Sequence, residues 1–292
     1  MKVHIVDGTY ELFRQFFARP PHANAAGEEV GAARAVVRGM VSMLEDGATH
    51  LGVATDHVIE SFRNDLYPGY KTGEGIDPVL RRQFQPLEDG LRAIGVATFA
   101  MVEYEAADGM ASVASVAAAD DRVEQVLLCT PDKDLAQCVR GHRVVQFDRR
   151  NNKIIDEAGV VEKFGVRPES IPDYLGLVGD SADGFPGLPG WGAKSTAAVL
   201  FRYGHLENIP VAAGQWDITV RGGAKLAKTL DDRREDALLF RRLAVLETDA
   251  PTIRAVDELR WAGPGPGLEA AVTALDAPDL AKRLSALSEA RS

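Results

Sequence analysis

The chain has 292 residues and only two cysteines, Cys129 and Cys138, whose spacing fits neither a disulfide framework nor a zinc ribbon. Stapled scaffolds are thereby excluded, and a reducing, cytoplasmic setting is expected. No uninterrupted apolar stretch is long enough to span a bilayer. The first residues run straight into a strand pattern, without the basic-then-apolar start of a secretion signal. No membrane association is expected. Positive charge is also scarce: 33 Lys and Arg face 43 Asp and Glu, for a net charge of −10. Binding along phosphates needs local positive potential, so a general nucleic-acid coat protein is disfavoured. A cluster of metal-binding acids, however, would lower the net charge without making the outer surface acidic. The remainder is ordinary for a globular chain, with 46% hydrophobic and 26% charged residues.

The acids occupy particular places. Asp7 follows Val3-His4-Ile5-Val6, and Asp56 closes Leu51-Gly52-Val53-Ala54-Thr55. Asp132 and Asp134 follow Val126-Leu127-Leu128-Cys129-Thr130, while Glu105 and Asp108 open an Ala-rich helical stretch. Asp180 and Asp183 lie in a Gly-bounded turn. In an open α/β sheet, ligands bind at the carboxyl ends of the strands. Acids gathered there would repel one another unless cations sat between them, and all-oxygen donors select Mg²⁺ or Mn²⁺. This is the layout of a metal-dependent phosphodiesterase.

Strand-like runs at 3–6, 50–55, 96–100, 125–130 and 143–147 alternate with helical patterns. Ala32, Ala33, Val36, Val37, Met40, Val41 and Leu44 make one helical face, and Leu80, Phe84, Leu87, Leu91 and Ile94 another. Strands separated by helices predict an α/β fold with a mostly parallel central sheet flanked by helices. The expected division is an α/β core over 1–170 and a helical region over 171–250. Residues 251–292 should form a linker and a short helical tail. Three Gly and two Pro within 67–78 predict a flexible arch over about 67–80. Helices are expected at 193–203 and 224–246.

Several motifs occur in a fixed order. They are Ile5-Val6-Asp7-Gly8, Phe62-Arg63-Asn64-Asp65-Leu66-Tyr67, Tyr70-Lys71, Glu105-Ala106-Ala107-Asp108 and Thr130-Pro131-Asp132-Lys133-Asp134. Last comes Gly179-Asp180-Ser181-Ala182-Asp183-Gly184-Phe185-Pro186-Gly187-Leu188-Pro189-Gly190-Trp191-Gly192-Ala193-Lys194-Ser195. The set resembles the bacterial 5′→3′ exonuclease and flap endonuclease family, which includes the N-terminal nuclease domain of DNA polymerase I. The resemblance covers residues 1 to about 250 and is to a free-standing relative. It implies a PIN-like nuclease core with a helix-hairpin-helix that grips duplex DNA. The implied metal ligands are Asp7, Asp56, Glu105, Asp108, Asp132, Asp134, Asp180 and Asp183, around one or two Mg²⁺ or Mn²⁺ ions. Lys71 and Arg63 are the implied catalytic cations. Tyr70, Lys71, Gly187, Gly190, Gly192, Lys194 and Ser195 are the implied DNA contacts, with K⁺ at the hairpin. The implied substrate is DNA with a 5′ single strand meeting a duplex; no protein partner is identifiable.

The hairpin also has a physical reading of its own. Glycines allow tight turns and close backbone approach, and amides at a helix N-terminus can face a phosphate oxygen. Such contacts read shape and backbone rather than sequence. Two positions depart from the family pattern. Ala107 stands where an acid is expected, which should weaken one metal site, and Glu74 stands in the place where the family commonly has an Arg near its Tyr-Lys pair. The alternative these departures support is a structure-specific DNA-binding protein with little or no cleavage. A haloacid-dehalogenase phosphatase, suggested by Asp7-Gly8-Thr9, needs a nucleophilic Asp two residues earlier, where Ile5 stands. Lys225, Lys228, Arg233, Arg234, Arg241 and Arg242 are read as solvated helix faces that could extend a duplex footprint.

Overall fold

The structure, a computed structural model, describes residues 1–291. In chain order the elements begin β1 (Lys2–Asp7), α1 (Gly8–Ala18), α2 (Gly31–Glu45), β2 (His50–Asp56), α3 (Arg63–Leu66), α4 (Pro78–Arg81), α5 (Phe84–Ala93) and β3 (Ala97–Met101). They continue α6 (Ala106–Ala118), β4 (Gln125–Cys129), β5 (Val144–Asp148), β6 (Lys153–Ile155), α7 (Glu157–Phe164) and α8 (Ile171–Val178). The last are α9 (Ala193–Tyr203), α10 (Gly223–Asp232), α11 (Arg234–Ala244), α12 (Leu268–Ala274) and α13 (Asp279–Arg291). Among the described residues, no helix is long and apolar enough to cross a membrane.

The chain divides into two compact units. The first takes 1–59, 73–130 and 247–292, and the second takes 60–72 and 131–246. The division is not linear: the second unit draws residues 60–72 and 131–170 out of the stretch expected to form one core.

In the first unit, β3, β2, β1 and β4 lie side by side, all parallel. Val3, Ile5, Val6, Leu51, Val53, Val126 and Leu128 are buried, as strands covered on both faces require. The α2 face is buried as its spacing predicts. The expected 79–94 helix is broken between Arg81 and Phe84. The break frees Gln83, whose side-chain oxygen accepts from Ala32 N and Ala33 N at 3.0 and 3.1 Å. Val30, at the start of α2, has no side-chain oxygen with which to do this. Beyond 246 the chain returns to this unit, where Arg283 pairs with Glu45.

The second unit holds the antiparallel pair β5–β6 and helices α7 to α11 around Tyr174, Phe185, Leu188, Trp191 and Phe240. The expected 224–246 helix is two, interrupted where Arg233 takes φ −128° and ψ 32°. α8 and α9 flank the glycine-rich hairpin. Leu188 N donates to Leu177 O at 2.8 Å, and Asp180 and Phe185 exchange both backbone hydrogen bonds.

Candidate metal centre and nucleic-acid interface

In the first unit the parallel register brings the ends of β1 and β2 to one edge. Asp7 caps α1, with Oδ1 accepting from Tyr10 N at 2.8 Å and Oδ2 from the Thr130 hydroxyl at 2.9 Å. Asp56 Oδ1 accepts from Ala106 N at 2.7 Å, which joins the start of α6 to the end of β2. Glu105, which directly precedes Ala106, is buried. Asp108 is fully buried, and main-chain amides meet both its oxygens: Glu105 N and Glu247 N, each at 2.9 Å. These bonds hold the main chain in place, a role that sequence spacing does not reveal. Ala107 is half-buried between them.

In the second unit Asp134, Asp180 and Asp183 are buried and offer carboxylate oxygens within 4.8 Å of one another. Asp134 N donates to Asp132 Oδ1 at 3.1 Å, closing a tight turn around Lys133. Two ammonium groups offset part of the charge: Lys71 Nζ lies 2.9 Å from Asp183 Oδ1, and Lys133 Nζ lies 2.7 Å from Asp180 Oδ2. Burial, and then the charges of Asp132, Asp183 and Asp180, push Asp134 well above the usual carboxylate range. Burial also raises Asp132, with the Asp183 charge adding to it. Desolvation, the largest influence on Lys133, would lower it, but the hydrogen bond to Asp180 and the charges of Asp180, Asp134 and Asp183 together raise it. Asp134 Oδ1 is buried without a hydrogen-bond partner among the described residues. Clustered, desolvated oxygens with one lone acceptor fit a hard divalent cation.

Arg63 sits elsewhere in this unit. It is 1% exposed, with Nε and an Nη donating to the carbonyls of Leu243 and Val245 at 2.7 and 2.8 Å. A guanidinium enclosed this way braces the end of α11. Tyr70, 3% exposed, is likewise part of the core rather than a stacking surface. Lys71 keeps partial exposure and is tied by its amide to Asp183 O at 2.9 Å. The start of the 67–80 segment is thus a packed turn, with Tyr67 edge-on to Phe240 at 5.7 Å.

At the hairpin, α9 opens at an exposed N-terminus formed by Gly192, Ala193 and Lys194. Ser195 Oγ bonds back to Gly192 O at 3.0 Å. Gly187 is confined: φ is +67°, and an added Cβ would lie 2.3 Å from Gly179 N. Gly192 is not, since nothing lies within 4 Å of its Cβ position. Arg241 pairs with Asp173 and Glu207, and the exposed Lys228 pairs with Asp232 one turn along α10.

Lys133 was not among the cations expected to matter. The alternation Asp132-Lys133-Asp134 was its only signal.

The family description "5′-3′ exonuclease, N-terminal resolvase-like domain" matches residues 2–165, and "5′-3′ exonuclease, C-terminal SAM fold" matches 166–266. The chain is 31% identical over 261 residues to a 5′-3′ exonuclease of Aquifex aeolicus, covering 88% of this chain and 86% of that one. It is 34% identical over 265 residues to DNA polymerase I of Pseudomonas aeruginosa, covering 87% of this chain but only 28% of the polymerase. Among solved structures, the bacteriophage T5 D15 flap endonuclease, in a pseudo-enzyme-product complex with DNA and metal ions, superposes with TM-score 0.65. That alignment is 20% identical and covers 99% of this chain and 98% of the other. The catalytic core of Rad2 with DNA substrate gives 0.62 at 13% identity, covering 98% and 92%. At these identities the structural likeness speaks for the fold.

Proposed function

We propose, from the premise that the chain belongs to the 5′→3′ exonuclease family, that it is a divalent-metal nuclease. Its reaction is hydrolysis of DNA phosphodiester bonds where a 5′ single strand meets a duplex. The observation that carries this reading is the buried trio Asp134, Asp180 and Asp183 with its partnerless oxygen. Mg²⁺ or Mn²⁺, when bound, lowers the cost of deprotonating water and of concentrating negative charge at a phosphodiester. Asp132, Asp134, Asp180 and Asp183 would hold the cation in the second unit. Asp7, Asp56 and Glu105 are the proposed ligands of the first unit, with Asp108 holding α6 and the Glu247 backbone in place. Lys71 sits at the rim of its acid cluster with its ammonium partly exposed, where it can pair with a phosphate oxygen. The exposed start of α9, with Lys194 and Ser195, is the proposed duplex-backbone contact, with K⁺ at the same hairpin. The 67–80 segment is the proposed arch over the single strand.

The test is a 5′-labelled flap DNA incubated in Mg²⁺ with and without excess EDTA. Short 5′ products that vanish with EDTA are expected. Cleavage that survives chelation would remove the metal from the reaction.

Ala107 favours a second reading, a DNA binder with weak cleavage. Ala107→Asp restores a carboxylate between Glu105 and Asp108 and should lower the Mg²⁺ concentration needed for half-maximal cleavage by roughly tenfold, because carboxylate charge fixes a strongly hydrated ion. Superimposable Mg²⁺ titrations of the two folded proteins would show that no ligand is missing there.

A further inference from the structure

β5 runs Val144-Val145-Gln146-Phe147, and Gln146 is as buried as the valines before it, at 1% exposure. Its Nε2 donates to the backbone carbonyl of Asp132. Its Oε1 is buried without a partner among the described residues. A second carboxamide acts two residues along the same turn: Gln137 Nε2 donates to Asp134 O and Ala244 O, each at 2.9 Å, and its Oε1 accepts from Leu246 N at 3.1 Å. Both amides therefore grip main-chain carbonyls of the turn that carries Asp132 and Asp134. Gln137 uses donors and acceptor alike, whereas Gln146 uses only its donor. A residue serving packing alone would do better as a hydrocarbon, because an unmet buried acceptor is destabilising. The turn also needs holding: its two carboxyl groups repel each other and those of Asp180 and Asp183.

We propose that Gln146 is a positioning residue for divalent-cation binding. By fixing the Asp132 carbonyl it keeps the Asp132–Asp134 turn closed, so that the acids converge before the ion arrives. Its Oε1 stays open to a donor that the described residues do not supply, such as a water of a hydrated cation, which Mg²⁺ and Mn²⁺ retain readily. The inference rests on the metal reading given above.

The test uses the whole protein and Mn²⁺ alone, with free Mn²⁺ followed by electron paramagnetic resonance. Gln146→Leu and Gln146→Met keep the apolar volume and remove the carboxamide. Both are expected to bind Mn²⁺ about tenfold more weakly, as loss of a supporting hydrogen bond around a metal site does. Their metal-free melting temperatures should stay close to that of the unaltered protein, and duplex binding in EDTA should be unchanged. Unaltered Mn²⁺ affinity in the two variants would overturn the proposal. So would a fall in metal-free melting temperature in both, which would make the Gln146 carboxamide a hydrogen bond that holds the fold rather than one that prepares the ion site. If the unaltered protein binds no Mn²⁺, the metal reading itself falls and takes this one with it. If Mn²⁺ binds but flap DNA is not cut, only the nuclease reading falls.

Discussion

Asp134→Asn is expected to reduce flap cleavage on the order of a thousandfold, because it removes a charged ligand from a site that supplies several kcal/mol of charge stabilisation. The same change should make the metal-free protein more stable at neutral pH. Asp134 is buried among Asp132, Asp183 and Asp180, and burial first and those charges second raise its folded-state pKa well above the ordinary value. A raised value means that folding favours the protonated form. The associated stability is fully present below the pKa of the unfolded chain and is lost as pH rises through the folded-state value. Wild-type protein without metal should therefore lose stability as pH climbs from about 4 towards neutrality. Asn has the same shape and no charge, so it should escape that loss. The melting temperatures of the two proteins in EDTA should diverge with rising pH, the variant above. Divalent metal should narrow the gap by stabilising the wild type alone. A variant that melts lower at pH 7.5 would mean that Asp134 is not under electrostatic strain. A variant that cuts at the full rate would remove it from the chemistry.

The second large effect separates two glycines of one motif. Gly187→Ala should destabilise the protein by about 3 kcal/mol or more. Gly187 has φ +67°, and the new Cβ would meet Gly179 N at 2.3 Å and Leu177 O at 2.5 Å, both backbone atoms that cannot swing aside. Duplex binding would then be lost because the hairpin cannot form. Gly192→Asp should behave in the opposite way. Gly192 has φ −107°, its Cβ position is open, and Asp is a favourable residue ahead of a helix, so the fold should persist. Its charge would stand at the exposed start of α9, where a phosphate is proposed to lie. Duplex affinity should fall roughly tenfold, with a shallower salt dependence. Chemical denaturation and fluorescence anisotropy distinguish the two outcomes. A stable, non-binding Gly187→Ala protein would contradict the steric account, and undiminished binding by Gly192→Asp would move the duplex site away from α9.

Periodicity located the elements that carry the acids. The apolar runs ending at Val6 and Thr55 mark strands, so Asp7 and Asp56 fall at their carboxyl ends as a matter of geometry. The face from Ala32 to Leu44 was legible for the same reason, and so was α9, because Gly190 and Gly192 punctuate its start. What stayed hidden depends on partners distant in sequence. Arg63 reads as an available cation beside Phe62, but its guanidinium is enclosed by carbonyls at 243 and 245. Asp108 reads as a ligand by its spacing from Glu105, and its hydrogen bond from the amide of Glu247 does not show in that spacing. The break at Gln83 follows from the needs of α2, some 50 residues earlier. Gln146 interrupts an apolar strand, a signal visible in the sequence, yet only the fold shows that its amide reaches the Asp132 carbonyl. Division into discontinuous units is invisible to a linear reading, since the chain leaves the first unit at residue 60 and returns to it twice.

The most direct measurement of the central claim is anomalous diffraction from crystals soaked in Mn²⁺. A difference peak within coordination distance of Asp134, Asp180 and Asp183 carboxylate oxygens is the predicted result, together with loss of that peak in Asp134→Asn crystals. A well-diffracting soaked crystal with no Mn²⁺ at those carboxylates would contradict the account.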